Sequence, residues 1–216
     1  MHYIEGQYIN WDKIYLIPLT LSTAIKKNDK LIVNFEWGNE IVRVINVITE
    51  KKDIDLDQGV EILRLANGED ISLQEQLYKE SREALEFCHD HARQLNLPMK
   101  LVDAHFSFDK KRLVFAFIAQ GRVDFRDLIK ELTKRYRGSI RLQQIGVRDE
   151  AKISGDIGTC GYRLCCQSHL RNLGNISSEM ASNQKISQRG IDRLSGICGR
   201  LKCCLAFEEK NYQQLK

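Results

Sequence analysis

No run of about 18 apolar residues occurs in the 216-residue chain, so the sequence offers no transmembrane helix. Its first residues, MHYIEGQYINWDK, lack the basic start and apolar centre of a secretory signal, and the expected location is cytoplasmic. There is no C-x-x-C pair and no G-x-G-x-x-G fingerprint, which removes the usual marks of a thiol reductase and of a flavin or nicotinamide enzyme. No Ser-His-Asp set, paired-carboxylate site or phosphate-binding P-loop stands out, so the chain reads as non-catalytic. Charge of either sign is not in excess. With 33 Lys and Arg against 29 Asp and Glu, the net charge of +4 permits contact with nucleic acid without arguing for it.

What the chain does have is cysteine in a repeated pattern. Residues 158–166 read GTCGYRLCC and residues 196–204 read GICGRLKCC, both fitting G-x-C-G-x-x-x-C-C at an offset of 38 residues. Six of the seven cysteines lie in these copies: Cys160, Cys165, Cys166, Cys198, Cys203 and Cys204. In a reducing compartment, clustered cysteines are metal ligands or redox groups more often than disulfides. The flanking glycines allow the backbone to curl closely around a small object.

The rest of the chain predicts an α+β fold in three parts. Residues 1–58 form a small N-terminal β-rich module, with apolar runs at Ile14–Ile17, Leu31–Phe35 and Ile41–Ile48 and a turn at Trp37–Glu40. Its end, residues 50–58, is charged and reads as a linker. Residues 59–145 form an α+β domain. After a short strand at 61–65, a long amphipathic helix spans 70–96, with Leu73, Leu77, Ala84 and Cys88 on its apolar stripe. Cys88 is expected in the core. A hairpin follows at 100–119, whose second strand is almost continuously apolar and so central or buried on both faces. A second helix opens at Gly121–Asp124 and runs to about residue 137, with Asp124 as its candidate N-cap or first-turn acid, and a strand carries Ile140 and Leu142. The order α-β-β-α-β predicts a three-stranded sheet with helices on one side. Residues 146–216 form a cysteine-rich, metal-binding lobe whose polar segment 169–193 has too little apolar surface to make a core.

Arg122, Arg126, Lys130 and Lys134 recur every four residues and are a candidate nucleic-acid-binding stripe, set against Asp127 and Glu131, which favour a solvated face. Three chemistries compete for the cysteine loops. A 4Fe-4S cluster takes four thiolates and carries net negative charge, which Lys152, Arg163, Arg200 and Lys202 would offset. Structural zinc prefers C-x₂₋₄-C knuckles, whereas both copies here are C-x₄-C-C. Vicinal thiols in a basic setting could also serve redox chemistry. His169, three residues after Cys166, reads as a surface histidine rather than a ligand.

The stretches Gly121–Leu128, Ile145–Lys152, Gly158–Cys166 and Ser195–Leu205 resemble the bacterial PSP-one C-terminal domain family, most closely from about residue 97 to 206. That resemblance implies a 4Fe-4S-binding adaptor rather than an enzyme, with cluster ligands among Cys160, Cys165, Cys166, Cys198, Cys203 and Cys204. It also implies RicA-like and RicF-like partner proteins and an assembly that supports messenger RNA processing by RNase Y, with effects on sporulation, competence and biofilm formation. Contact with RNA would then be indirect. The alternative is a nucleic-acid-binding protein with a structural zinc site.

Overall fold

The computed structural model describes residues 2–20, 24–48, 57–170 and 173–213. The chain divides into two compact units, residues 1–144 and 145–216. No helix among the described residues is long and apolar enough to cross a membrane.

The first unit opens with β1 (Tyr3–Gln7), β2 (Tyr15–Pro18), β3 (Lys30–Phe35), β4 (Gly38–Ile48) and β5 (Glu61–Leu65). They form one antiparallel sheet in the order β2-β1-β4-β3-β5. The alternation that predicts strands also fills this core. Ile4, Ile17, Leu31, Val33, Val42 and Val44 are all fully buried. The turn between β3 and β4 is tighter than the sequence suggests, because Gly38, Asn39 and Glu40 already belong to β4. Strand 61–65 pairs with β3, so the sheet continues past residue 58. Most of the charged segment 50–58 lies outside the described residues, but Asp57 ties the two edge strands together. Its carboxylate accepts from the Leu16 amide (2.9 Å), and its own amide donates to the Leu16 carbonyl (3.4 Å).

Next come α1 (Gly68–Gln94), β6 (Lys100–Phe106), β7 (Arg112–Ile118), α2 (Arg126–Arg135) and β8 (Ser139–Gln144). Asn67 and Asp70 form a reciprocal capping box that starts α1, which stabilises a helix end by about 1 kcal/mol. Asp124 is not the N-cap of α2. That position falls to Phe125, while the Asp124 carboxylate accepts from the Arg126 amide (3.2 Å) and guanidinium. The sheet order is β6-β7-β8, with β7 central, antiparallel to β6 and parallel to β8. The parallel pair follows from α2 acting as the crossover. Leu113 and Phe115 of β7 pack with Leu77, Ala84 and Cys88 of α1 and Leu128 and Leu132 of α2. Val114 and Ala116 on the opposite face are buried as well, as the continuous apolar run of β7 requires.

The two sheets meet through polar contacts. Trp11 Nε1 donates to Asp103 (3.0 Å), the Phe108 amide donates to the Asn39 carbonyl (2.9 Å), and His105 Nε2 lies 2.9 Å from Glu40 Oε2. Glu40 is 2% exposed. Burial raises its carboxyl above the ordinary range, and His105 and Arg112 pull it back down.

The second unit holds α3 (Val147–Ser154), α4 (Ser178–Asn183), a 3₁₀ turn at Ser187–Arg189, α5 (Ile191–Leu194) and α6 (Cys203–Gln213). Its buried apolar residues are few: Ile145, Cys166, Ala181 and Leu205 among the described residues. Polar bonds join α4 to α6, from Asn183 Nδ2 to Glu209 (2.7 Å) and from Gln184, the residue that caps α4, to the Leu205 carbonyl (2.7 Å).

Glu40 gives a pH-dependent prediction. Its folded pKa is raised, so the folded chain holds the proton to higher pH than the unfolded chain does. Stability linked to this group is therefore lost as pH rises from the ordinary carboxylate value of about 4.3 through the folded value. Glu40→Gln keeps an acceptor for His105 and removes the titration. Urea unfolding between pH 4 and 7 should show the variant gaining on the wild type as pH rises. A difference that stays flat with pH contradicts the assignment.

Candidate metal centre

The two cysteine copies fold alike, bond for bond. The first is closed by a bridge between Ile157 and Arg163, the second by a bridge between Ser195 and Leu201. The Gly158 amide donates to the Tyr162 carbonyl (2.8 Å), and Gly196 donates to Arg200 (2.8 Å). The Gly161 amide donates to Gly158 (2.9 Å), and Gly199 donates to Gly196 (3.0 Å). Leu164 reaches back to Asp156 (3.2 Å), as Lys202 does to Leu194 (2.8 Å). Each copy is thus a tight hairpin with a β-turn closed by a glycine at positive φ, +81° at Gly161 and +73° at Gly199. Such a φ is ordinary for glycine and costly for a residue with a Cβ. Cys160 and Cys198 sit in the turns. Cys165 and Cys166 follow the first hairpin, and Cys203 and Cys204 open α6 after the second.

All six cysteines line one cavity of about 160 Å³. Cys166 is buried, Cys160 is exposed, and the other four lie between. Leu164, Leu201, Ile197 and Ala151 supply apolar wall. All seven cysteines of the chain are free thiols. Among the described residues, no three His, Cys, Asp or Glu side chains form a set ready to hold a metal ion. The donor chemistry nevertheless fits a thiolate-held centre: soft sulfur ligands, drawn from both hairpins, on a shared and largely apolar cavity.

Burial pushes the Cys165, Cys166 and Cys204 thiols up, and Cys203 up to about 11. Neighbouring thiols add to this, because one thiolate disfavours the next. Positive charge works against it: Arg148 acts on Cys166 and Cys203, Lys152 on Cys166, and Lys202 on Cys204. Of the basic neighbours expected from sequence, Arg163 and Lys202 line the cavity, while Arg200 is an exposed hairpin residue outside its lining. Arg148 escaped the sequence reading. The available signal was its spacing of four from Lys152, which puts both on one side of α3. His169 is exposed, with its ring edge-on to Phe207 at 5.4 Å and its Nδ1 3.1 Å from Ser168 Oγ. Cys88 lies in the other unit, fully buried in the α1 core, where burial pushes its thiol up to about 12.

The basic stripe is largely neutralised. Arg126 pairs with Asp124 (2.6 Å), Lys130 with Asp127 (2.8 Å) and Lys134 with Glu131 (2.6 Å). Arg122 precedes α2 and is exposed, so it does not extend the stripe along the helix. The pairs sit at the surface, where each is worth little to stability but offsets local charge.

Two measurements check this geometry. Brief iodoacetamide treatment of the native metal-free chain should modify Cys160 and spare Cys88 until denaturant is added. Gly161→Ala and Gly199→Ala should each destabilise their hairpin by about 1–2 kcal/mol, since the added Cβ meets no neighbour and only the backbone is strained. Urea titrations of the two variants should match, and clearly unequal losses would show that the hairpins are not equivalent.

The PSP1 C-terminal conserved region matches residues 60–145, and the third domain of PSP1-like proteins matches residues 175–216. The stage 0 sporulation protein YaaT of Bacillus subtilis is 40% identical over 181 residues, covering 84% of this chain and 64% of YaaT. An uncharacterised Schizosaccharomyces pombe protein is 35% identical over 59% of the chain and 21% of its own length. Protein PSP1 of Saccharomyces cerevisiae is 50% identical over 21% of the chain and 6% of its own length. The chain thus spans less than two thirds of each of these relatives. No solved structure gives a significant match. The first of the two matched regions takes in the sheet-and-helix core around Phe115 and the second takes in the hairpin of Cys198, and on that footing the chain belongs to the PSP1 family.

Proposed function

We propose that this chain is a non-catalytic adaptor whose C-terminal unit carries a thiolate-held metal centre, with a 4Fe-4S cluster as the occupant. The observation that carries the reading is the duplication: two hairpins with the same hydrogen bonds deliver three cysteines each to one cavity. The Cys165, Cys166, Cys203 and Cys204 thiols, raised by desolvation and by one another, are poor nucleophiles at neutral pH, and metal is the natural means of holding such thiols deprotonated. More than four thiols are present, so a cubane cluster can be ligated within the chain.

The resemblance to YaaT, also called RicT, extends the proposal to partners. We place the chain in a cytoplasmic assembly with RicA-like and RicF-like proteins that supports messenger RNA processing by RNase Y and developmental regulation such as sporulation, competence and biofilm formation. RNA contact is then indirect, in keeping with a stripe whose Arg126, Lys130 and Lys134 are already paired with carboxylates. A second reading, structural zinc in a nucleic-acid-binding protein, draws on the hairpin form of each copy with a cysteine at its turn.

Anaerobic purification decides between them. A cluster protein is brown and yields iron and acid-labile sulfide in similar amounts, and Cys166→Ser should lower both. A colourless preparation with about one zinc per chain would overturn the cluster reading.

A further inference from the structure

Arg148 is a charge anchored on a residue that lines the thiol cavity, and no ligand role uses it. It lies in the first turn of α3, four residues before the buried Lys152, and Ala151 of the same helix lines the thiol cavity. Its Nη2 donates to the carbonyl of Leu201 (3.1 Å), the residue whose bridge to Ser195 closes the second hairpin. Its Nε is buried and has no hydrogen-bond partner among the described residues. A buried N–H without an acceptor costs roughly 1–3 kcal/mol. The neighbouring Asp149 carboxylate is turned to the Gly146 amide (3.2 Å), where it caps α3. Leu201 itself lines the thiol cavity and stands two residues before Cys203, so the guanidinium is anchored on the wall of that cavity.

We propose that Arg148 is the counter-charge of the thiolate centre. Anchored on the Leu201 carbonyl, its guanidinium offsets the negative charge that builds up as the thiols of both hairpins lose their protons to a bound metal. Four thiolates around a divalent ion, or around a 4Fe-4S core, leave a net negative charge, and in a partly buried site such a charge is tolerated only beside a cation. Arg148 is a positioning residue and not a ligand: it carries no donor to the metal and acts through the thiolates. Lys152, one turn on, adds to the same field at Cys166. This inference rests on the thiolate-centre reading above.

Cobalt(II) is the probe, because thiolate-to-cobalt absorption reports sulfur ligation directly and chelator competition gives the affinity. The full chain is used, metal-free and reduced. Arg148→Gln keeps a donor for the Leu201 carbonyl and removes the charge. It should bind cobalt about 10- to 100-fold more weakly than the wild type, the usual loss when an outer-shell partner of a metal site is removed. Arg148→Lys should restore most of the affinity. Metal-free Arg148→Gln should be no less stable to urea than the wild type, since among the described residues the Arg148 Nε has no partner to lose. Wild-type affinity in Arg148→Gln overturns the inference, as does Arg148→Lys binding as weakly as Arg148→Gln. A metal-free Arg148→Gln chain that is less stable than wild type overturns it too, and assigns Arg148 a structural role. A wild-type chain that develops no thiolate-to-cobalt band overturns the thiolate-centre reading itself, and this inference with it.

Discussion

The second unit has too little apolar surface to fold around, and most of its architecture answers that shortage. Ile145, Ala181, Leu205 and Cys166 are a thin core for a segment of this length. The gap is filled by local backbone closure in the two hairpins, by polar bonds from Asn183 and Gln184 to α6, and by Arg148 bridging α3 to the second hairpin. Each device fixes a short piece of chain, and the two hairpins line the cavity that holds the thiols. In such a lobe, binding free energy at the thiols is also folding free energy, because the ligands are scattered in an unfolded chain.

The first unit is built the opposite way. It has two apolar cores, one inside the five-stranded sheet and one between the three-stranded sheet and its helices. The two sheets are then joined by directional contacts, among them Trp11 with Asp103 and Glu40 with His105. Polar groups at such a junction fix the register of the parts more than they add stability, since removing either partner leaves the other buried and unsatisfied.

Much of the fold was legible in the residues because its signals are local. β7 announced its central place through an unbroken apolar run, α1 through its stripe, and the α-β-β-α-β order through the punctuation between them. Where the reading slipped, a non-local partner had intervened. Strand 61–65 stands before α1 in sequence yet pairs with β3, and no local signal names a strand's partner. Asp124 looked like a helix cap but is taken by Arg126, which leaves Phe125 as the boundary.

The sequence by itself determined the doubled hairpin. Glycines at fixed offsets around cysteines dictate a turn through backbone sterics alone, and a repeat of 38 residues dictates it twice. It also determined that Cys88 is core, since that thiol sits on the stripe of α1. Only the tertiary structure decided that both hairpins open onto one cavity, that Arg148 is anchored on the second hairpin, and that Glu40 is buried against His105. These are encounters between residues far apart in the chain, Arg148 with Leu201 and Glu40 with His105 among them, and hydrogen-bonding partners depend on distance in space, which spacing along the sequence does not supply.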